Sequence, residues 1–106
     1  MLNGHFAQHW KDNQGRPAGG VSSGRGFTIS WQNGPLGSGS DRKEPNGAFV
    51  EDVLQAVIER IQFYQDSPFA CVENNDALDN LRGAAQRLDD RTKAREAGGV
   101  EGTYKL

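Results

Sequence analysis

The sequence predicts an α+β fold: a short N-terminal β-strand or hairpin region followed by an antiparallel two-helix hairpin, assembled as a dimer. Three observations carry this reading. Residues 27–32 alternate strictly between apolar and polar side chains. Apolar residues recur at three- and four-residue spacing after Asn46 and again after Asn74. Between those two runs, Asp66-Ser67-Pro68 supplies a break.

The chain has 106 residues, enough for one small domain. Domains of this size bury roughly two-thirds of their unfolded surface and are marginal alone. The hydrophobic share of 35% is low, and 14 glycines, most of them in the first half, make that half loop-rich. Residues 1–25 are expected to be a flexible glycine-rich segment. Residues 26–106 are expected to be one domain, with strand and loop over 26–45, helical hairpin over 46–97 and tail over 98–106. His5 and His9 share no nearby third ligand, so no metal site is assigned.

Phe27, Ile29 and Trp31 fall on one face of a half-buried strand. Asn33-Gly34 is a turn signal and Pro35 ends ladder pairing. One strand cannot stand alone. Its expected partner is the following loop, the tail after Gly99 or another subunit.

The first helix is expected to start near Asn46-Gly47, where asparagine can cap an unpaired N–H, with Glu51 and Asp52 at the positive end of the dipole. Val50, Val53, Leu54, Val57, Ile58, Ile61 and Tyr64 form its apolar stripe. Pro68 disfavours helical geometry at Ser67 and stops it. The second helix is expected from Asn74 or Asn75. Its seam runs through Leu78, Leu81, Ala85, Leu88 and Thr92, and Gly98-Gly99 provides the stop. Each stripe can cover the other, yet their flanks stay wet in a single copy. A two-fold dimer of hairpins removes that exposure.

Composition excludes several functions. A formal net charge of −2 speaks against binding a DNA or RNA polymer, which needs a basic field. It leaves room for a small anion held by a few arginines. No apolar run reaches the roughly 18–20 residues of a membrane span, and no leader pattern is present, so a soluble intracellular protein is expected. Cys71 is the sole cysteine and is expected to be a reduced, buried thiol.

No phosphate loop, zinc-protease helix or nucleophile elbow occurs, so no catalytic residue and no cofactor is assigned. Asp89-Asp90 are adjacent on a helix and point apart. Binding has better support. Phe69, beside Pro68, suits either a plug for the hairpin end or a ring that stacks on a base. Arg91 and Arg95 stand one turn apart, and the guanidinium fork matches phosphate; the plainer role for both is to complement the helix dipole. Thr103 and Tyr104 close a tail that offers a hydroxyl and a ring, or simply frays.

Phe69-Ala70-Cys71-Val72-Glu73-Asn74, Arg91-Thr92-Lys93-Ala94-Arg95-Glu96 and Gly99-Val100-Glu101-Gly102-Thr103 together resemble the C-terminal helical hairpin of phage Thoeris anti-defence proteins and its relative in anti-CBASS proteins. Residues 26–35 resemble the strand and turn ahead of it. The resemblance implies a sponge that binds cyclic ADP-ribose isomers or cyclic di- and trinucleotides without degrading them. It implies dimers, or hexamers built as trimers of dimers, with pockets between subunits. It implies ligand contacts at Phe69, Asn74, Arg91, Thr92, Arg95 and Thr103, with Tyr104 at a position commonly histidine. Val72 departs from an expected arginine, and Gly98 from a basic residue.

The resemblance thus implies a phage protein that sequesters a nucleotide immune signal in the host cytoplasm. The alternative is a non-enzymatic adaptor whose hairpin binds a protein partner.

Overall fold

The structure, a computed structural model, describes residues 4–106. Residues 1–3 of the segment expected to be flexible lie outside the described residues. The chain forms two compact units: residues up to Phe49 together with Val100–Leu106, and Val50–Gly99.

The first unit is a three-stranded antiparallel sheet in the order β1 (Phe6–Lys11), β2 (Pro17–Gly24) and β3 (Phe27–Trp31). Two strands therefore occupy the segment read as flexible, and β3 pairs along its length with the upstream β2, with one further bridge to the segment that follows it. The physical reason lies in β2. Its Pro-Ala-Gly-Gly-Val-Ser-Ser-Gly sequence shows no strand alternation, yet as the central strand it is hydrogen-bonded on both sides. Buried Gly19 lies beneath Asn33 and Trp10, whose atoms stand 3.0 and 3.4 Å from where a Cβ would be. Small residues here mark close approach, which composition alone reads as looseness. The β1–β2 turn is closed by Asp12, whose carboxylate accepts the Gln14 and Arg16 N–H groups at 2.8 and 3.0 Å.

Beyond β3, Ala48 makes a parallel bridge with Trp31. The Gln32 N–H donates to Ala48 O at 2.9 Å, and the Ala48 N–H to Ser30 O at 2.8 Å. Asn46 does not cap a helix. Its side chain accepts the Asn33 N–H at 2.8 Å and donates to Asn33 O at 3.0 Å. With Asn46 so used and Ala48 extended, the first helix starts later than its capping residue suggested.

The second unit is the helical hairpin, α1 (Val50–Gln65) and α2 (Val72–Ala97). α2 starts before Asn74 because Cys71 serves as its cap: Sγ accepts the Asn74 N–H at 3.4 Å. Cys71 is accordingly exposed, not buried. Gln65 fixes the turn by donating to Cys71 O at 3.0 Å and accepting the Cys71 N–H at 2.9 Å. At the far end Gly99 takes φ +71° and ends the helix where expected.

Packing between the helices is thin. Among the described residues the buried hydrophobic side chains are Ile58 and Leu78, with Leu81, Ala85, Leu88 and Thr92 half-buried along the seam. Val50, Val57, Phe63, Tyr64, Phe69 and Val72 remain exposed. No helix among the described residues is long and apolar enough to cross a membrane.

Candidate functional site

The hairpin sorts its nominated residues to its two ends. Phe69 sits in the α1–α2 turn with 79% of its surface exposed, so it does not plug the hairpin core. Its N–H donates to Ser67 Oγ at 3.1 Å, which fixes the turn and not the ring. Asn74 lies half-buried in the first turn of α2. Near the other end of α2, Arg91 is exposed, while Thr92 and Arg95 are half-buried. Asn74 and Arg91 are roughly 26 Å apart at the 1.5 Å rise of a helix. Within one copy, then, the structure brings together Arg91, Thr92 and Arg95, and separately Phe69 and Asn74, but not the two groups.

Charge at the arginine end is partly offset. Lys93 pairs with Asp89 at 2.9 Å, and that hydrogen bond holds the ammonium pKa above its ordinary value. Groups of three or more His, Cys, Asp or Glu able to hold a metal do not occur among the described residues.

Thr103 and Tyr104 belong to the other unit, where the tail is docked. The Thr103 hydroxyl donates to Val100 O at 2.5 Å and accepts the Lys105 N–H at 3.2 Å, closing a turn. The Arg16 guanidinium stands 3.9 Å above the centre of the Tyr104 ring. Arg42 binds both carboxylate oxygens of Glu101. The pairings of Arg16 with Tyr104 and of Arg42 with Glu101 escaped the sequence reading because no local spacing joins residues so far apart in the chain.

A groove of about 680 Å³ runs between α1 and α2. Ile58 and Ala85 line it, with Phe63 beside them. None of the seven nominated residues contributes to it. Its rim carries Glu59, Asp66 and Asp89 against a single Arg82, which already donates to Gln62 at 2.9 Å. This charge balance suits a protein surface better than a phosphate.

A small antiparallel sheet followed by a helical hairpin, with arginines at one end and an exposed ring at the other, defines the class: an α+β hairpin-domain protein. Residues 25–93 match the family model described as Acb2/Tad1, hairpin domain, and the chain belongs to that family. It is also similar to Thoeris anti-defense 1 of Bacillus phage SBSphiJ7, with 39% identity over 83 residues. That match covers 78% of this chain, and the chain spans only 56% of that relative's length. Phe69, Asn74, Arg91 and Thr92 fall inside the family match; Arg95, Thr103 and Tyr104 follow it.

Proposed function

We propose that this chain is a phage anti-defence protein that binds and sequesters, without cleaving it, a cyclic nucleotide immune signal in the host cytoplasm. The signal is a cyclic ADP-ribose isomer or a cyclic oligonucleotide. Membership of the hairpin family and the similarity to a Thoeris anti-defence protein support the class of function. The observation that carries the site is the separation of ring and arginines along α2. If two copies pair their α2 helices antiparallel, Phe69 and Asn74 of one copy come beside Arg91, Thr92 and Arg95 of the other. The charges favour that alignment: α2 opens with Glu73, Asp76 and Asp79, and closes with Arg87, Arg91, Lys93 and Arg95 against Asp89, Asp90 and Glu96. Exposed Phe69 and Val72, at the start of α2, give such pairing part of its driving force.

In this arrangement Phe69 stacks on a base, a contact worth about 1–3 kcal/mol. Arg91 and Arg95 hold phosphate through charge-assisted forks. Asn74 and Thr92 orient the ligand, Thr103 is a further contact on the ground of the resemblance, and Tyr104 is a second ring able to stack on a base. A sponge depends on tight binding more than on rate. Nanomolar affinity requires about −12 kcal/mol, within reach of several such contacts in a site closed by two copies.

Calorimetry against cyclic dinucleotides, cyclic trinucleotides and cyclic ADP-ribose isomers tests the reading. One class should bind and be recovered chemically intact after heat release. Silence of the whole panel at about 100 micromolar removes the proposal.

The inter-helix groove favours a second reading, an adaptor that docks a protein on the hairpin. Stoichiometric capture of one protein partner, with no nucleotide released from the purified chain, supports it over the first.

A further inference from the structure

The tail after α2 is fastened to its own unit by contacts of different kinds. The Gly37 N–H donates to Gly102 O at 2.8 Å. Arg42 grips Glu101 with both terminal nitrogens, at 2.6 and 3.0 Å. Arg16 lies over the Tyr104 ring. The approach is tightest at Gly102, where φ is +76° and an added Cβ would collide with the Gly37 carbonyl oxygen. The receiving loop is itself shaped, since the Lys43 N–H donates to Leu36 O at 2.7 Å and residues 39–41 make a single 3-10 turn.

We propose that Arg42 and Glu101 are positioning residues: a clasp that keeps the strap over residues 100–104 docked, and so holds Thr103 and Tyr104 where a ligand can use them. This rests on the reading of those two residues as ligand contacts. The physical need is plain. The strap follows the Gly98-Gly99 stop of α2, and docking it costs the conformational entropy of the residues it orders. The Thr103 hydroxyl donates to Val100 O, which gives the strap a turn of its own. A released strap lowers the fraction of molecules competent to bind and weakens the apparent affinity in proportion. The planar fork of Arg42 on one carboxylate gives the clasp direction as well as charge. It lies partly in solvent, so salt loosens it.

Two readouts on the full chain test this. Exchange of the Gly37 amide reports strap docking without any ligand. Calorimetry with cyclic ADP-ribose, a cyclic dinucleotide and a cyclic trinucleotide reports binding. Glu101→Gln and Arg42→Gln should each speed Gly37 exchange roughly two- to fivefold, the range of an exposed ion pair. Gly102→Ala, which leaves both charges in place, should speed it at least as much. The exchanged pair Arg42→Glu with Glu101→Arg should recover part of the protection. Binding should weaken in the same order and recover in the same double variant, with helical circular dichroism unchanged throughout.

Unaltered exchange in both charge variants overturns the clasp. Faster exchange with unaltered affinity overturns its positioning role. Affinity lost while exchange stays slow makes these residues direct ligand contacts, which also overturns it. If the wild type binds none of the three probes, the ligand reading fails separately, and the Gly37 amide still decides whether the clasp exists.

Discussion

Arg91 and Arg95 stand one helical turn apart near the end of α2, and this spacing makes them a unit. Replacing both with alanine should cost about 3–6 kcal/mol of binding, taking roughly 1.5–3 for each charge-assisted contact. Calorimetry should show the loss while helical circular dichroism stays at the wild-type level. Lysine at both positions should recover only part of it, because a point charge lacks the fork. Asp12 gives a prediction on pH. The Arg16 backbone N–H, followed by the Arg16 side chain and the Gln14 N–H, holds its carboxyl below the ordinary 3.8 against an opposing cost of burial. Its folded pKa is depressed, so its contribution to the β1–β2 turn is complete above the ordinary value. That contribution disappears as pH falls through the lowered one. The Gln14 and Arg16 amides followed by NMR during acid titration should lose their bonded shifts together in that window. At this scale the arginine pair was legible because its spacing is local. Arg16 over Tyr104 was not, because nothing near either residue announces the other.

Among the elements, α1 and α2 were legible because apolar residues repeat at helical period and each stripe meets the other. Their starts were not. Asn46 looks like a cap but spends its side chain on Asn33, while Cys71, a poor advertisement for a cap, accepts the Asn74 N–H. β3 was legible from its alternation, while β1 and β2 were hidden for a different reason: the glycines of β2 reflect close packing and pairing on both edges. Leu78 is the most buried side chain, 1% exposed, and Leu78→Ala should cost about 2–5 kcal/mol in denaturant unfolding. Gly83 lies inside α2 with nothing within 4 Å of a built Cβ. Gly83→Ala should therefore raise stability by about 0.5–1 kcal/mol. A loss there would show that a neighbouring copy packs against this position.

For the whole molecule, the proposed pairing of two copies accounts together for the thin inter-helix packing, the exposed apolar side chains and the two separated groups of nominated residues on the hairpin. Light scattering should give a mass of at least twice 11.6 kDa at micromolar concentration. The family was legible from the hairpin residues, whereas the proposed arrangement of a site shared by two copies is not written in the spacing of one chain. Subunit complementation tests that arrangement most directly. One variant carries Phe69→Ala and Asn74→Ala, the other Arg91→Ala and Arg95→Ala, and neither should bind a cyclic nucleotide alone. Mixed in equal amounts and allowed to exchange, they should recover about one quarter of the wild-type sites at wild-type affinity, because half the dimers are mixed and each mixed dimer holds one intact site. Failure to recover any sites after verified exchange would contradict a site shared between opposite ends of two hairpins.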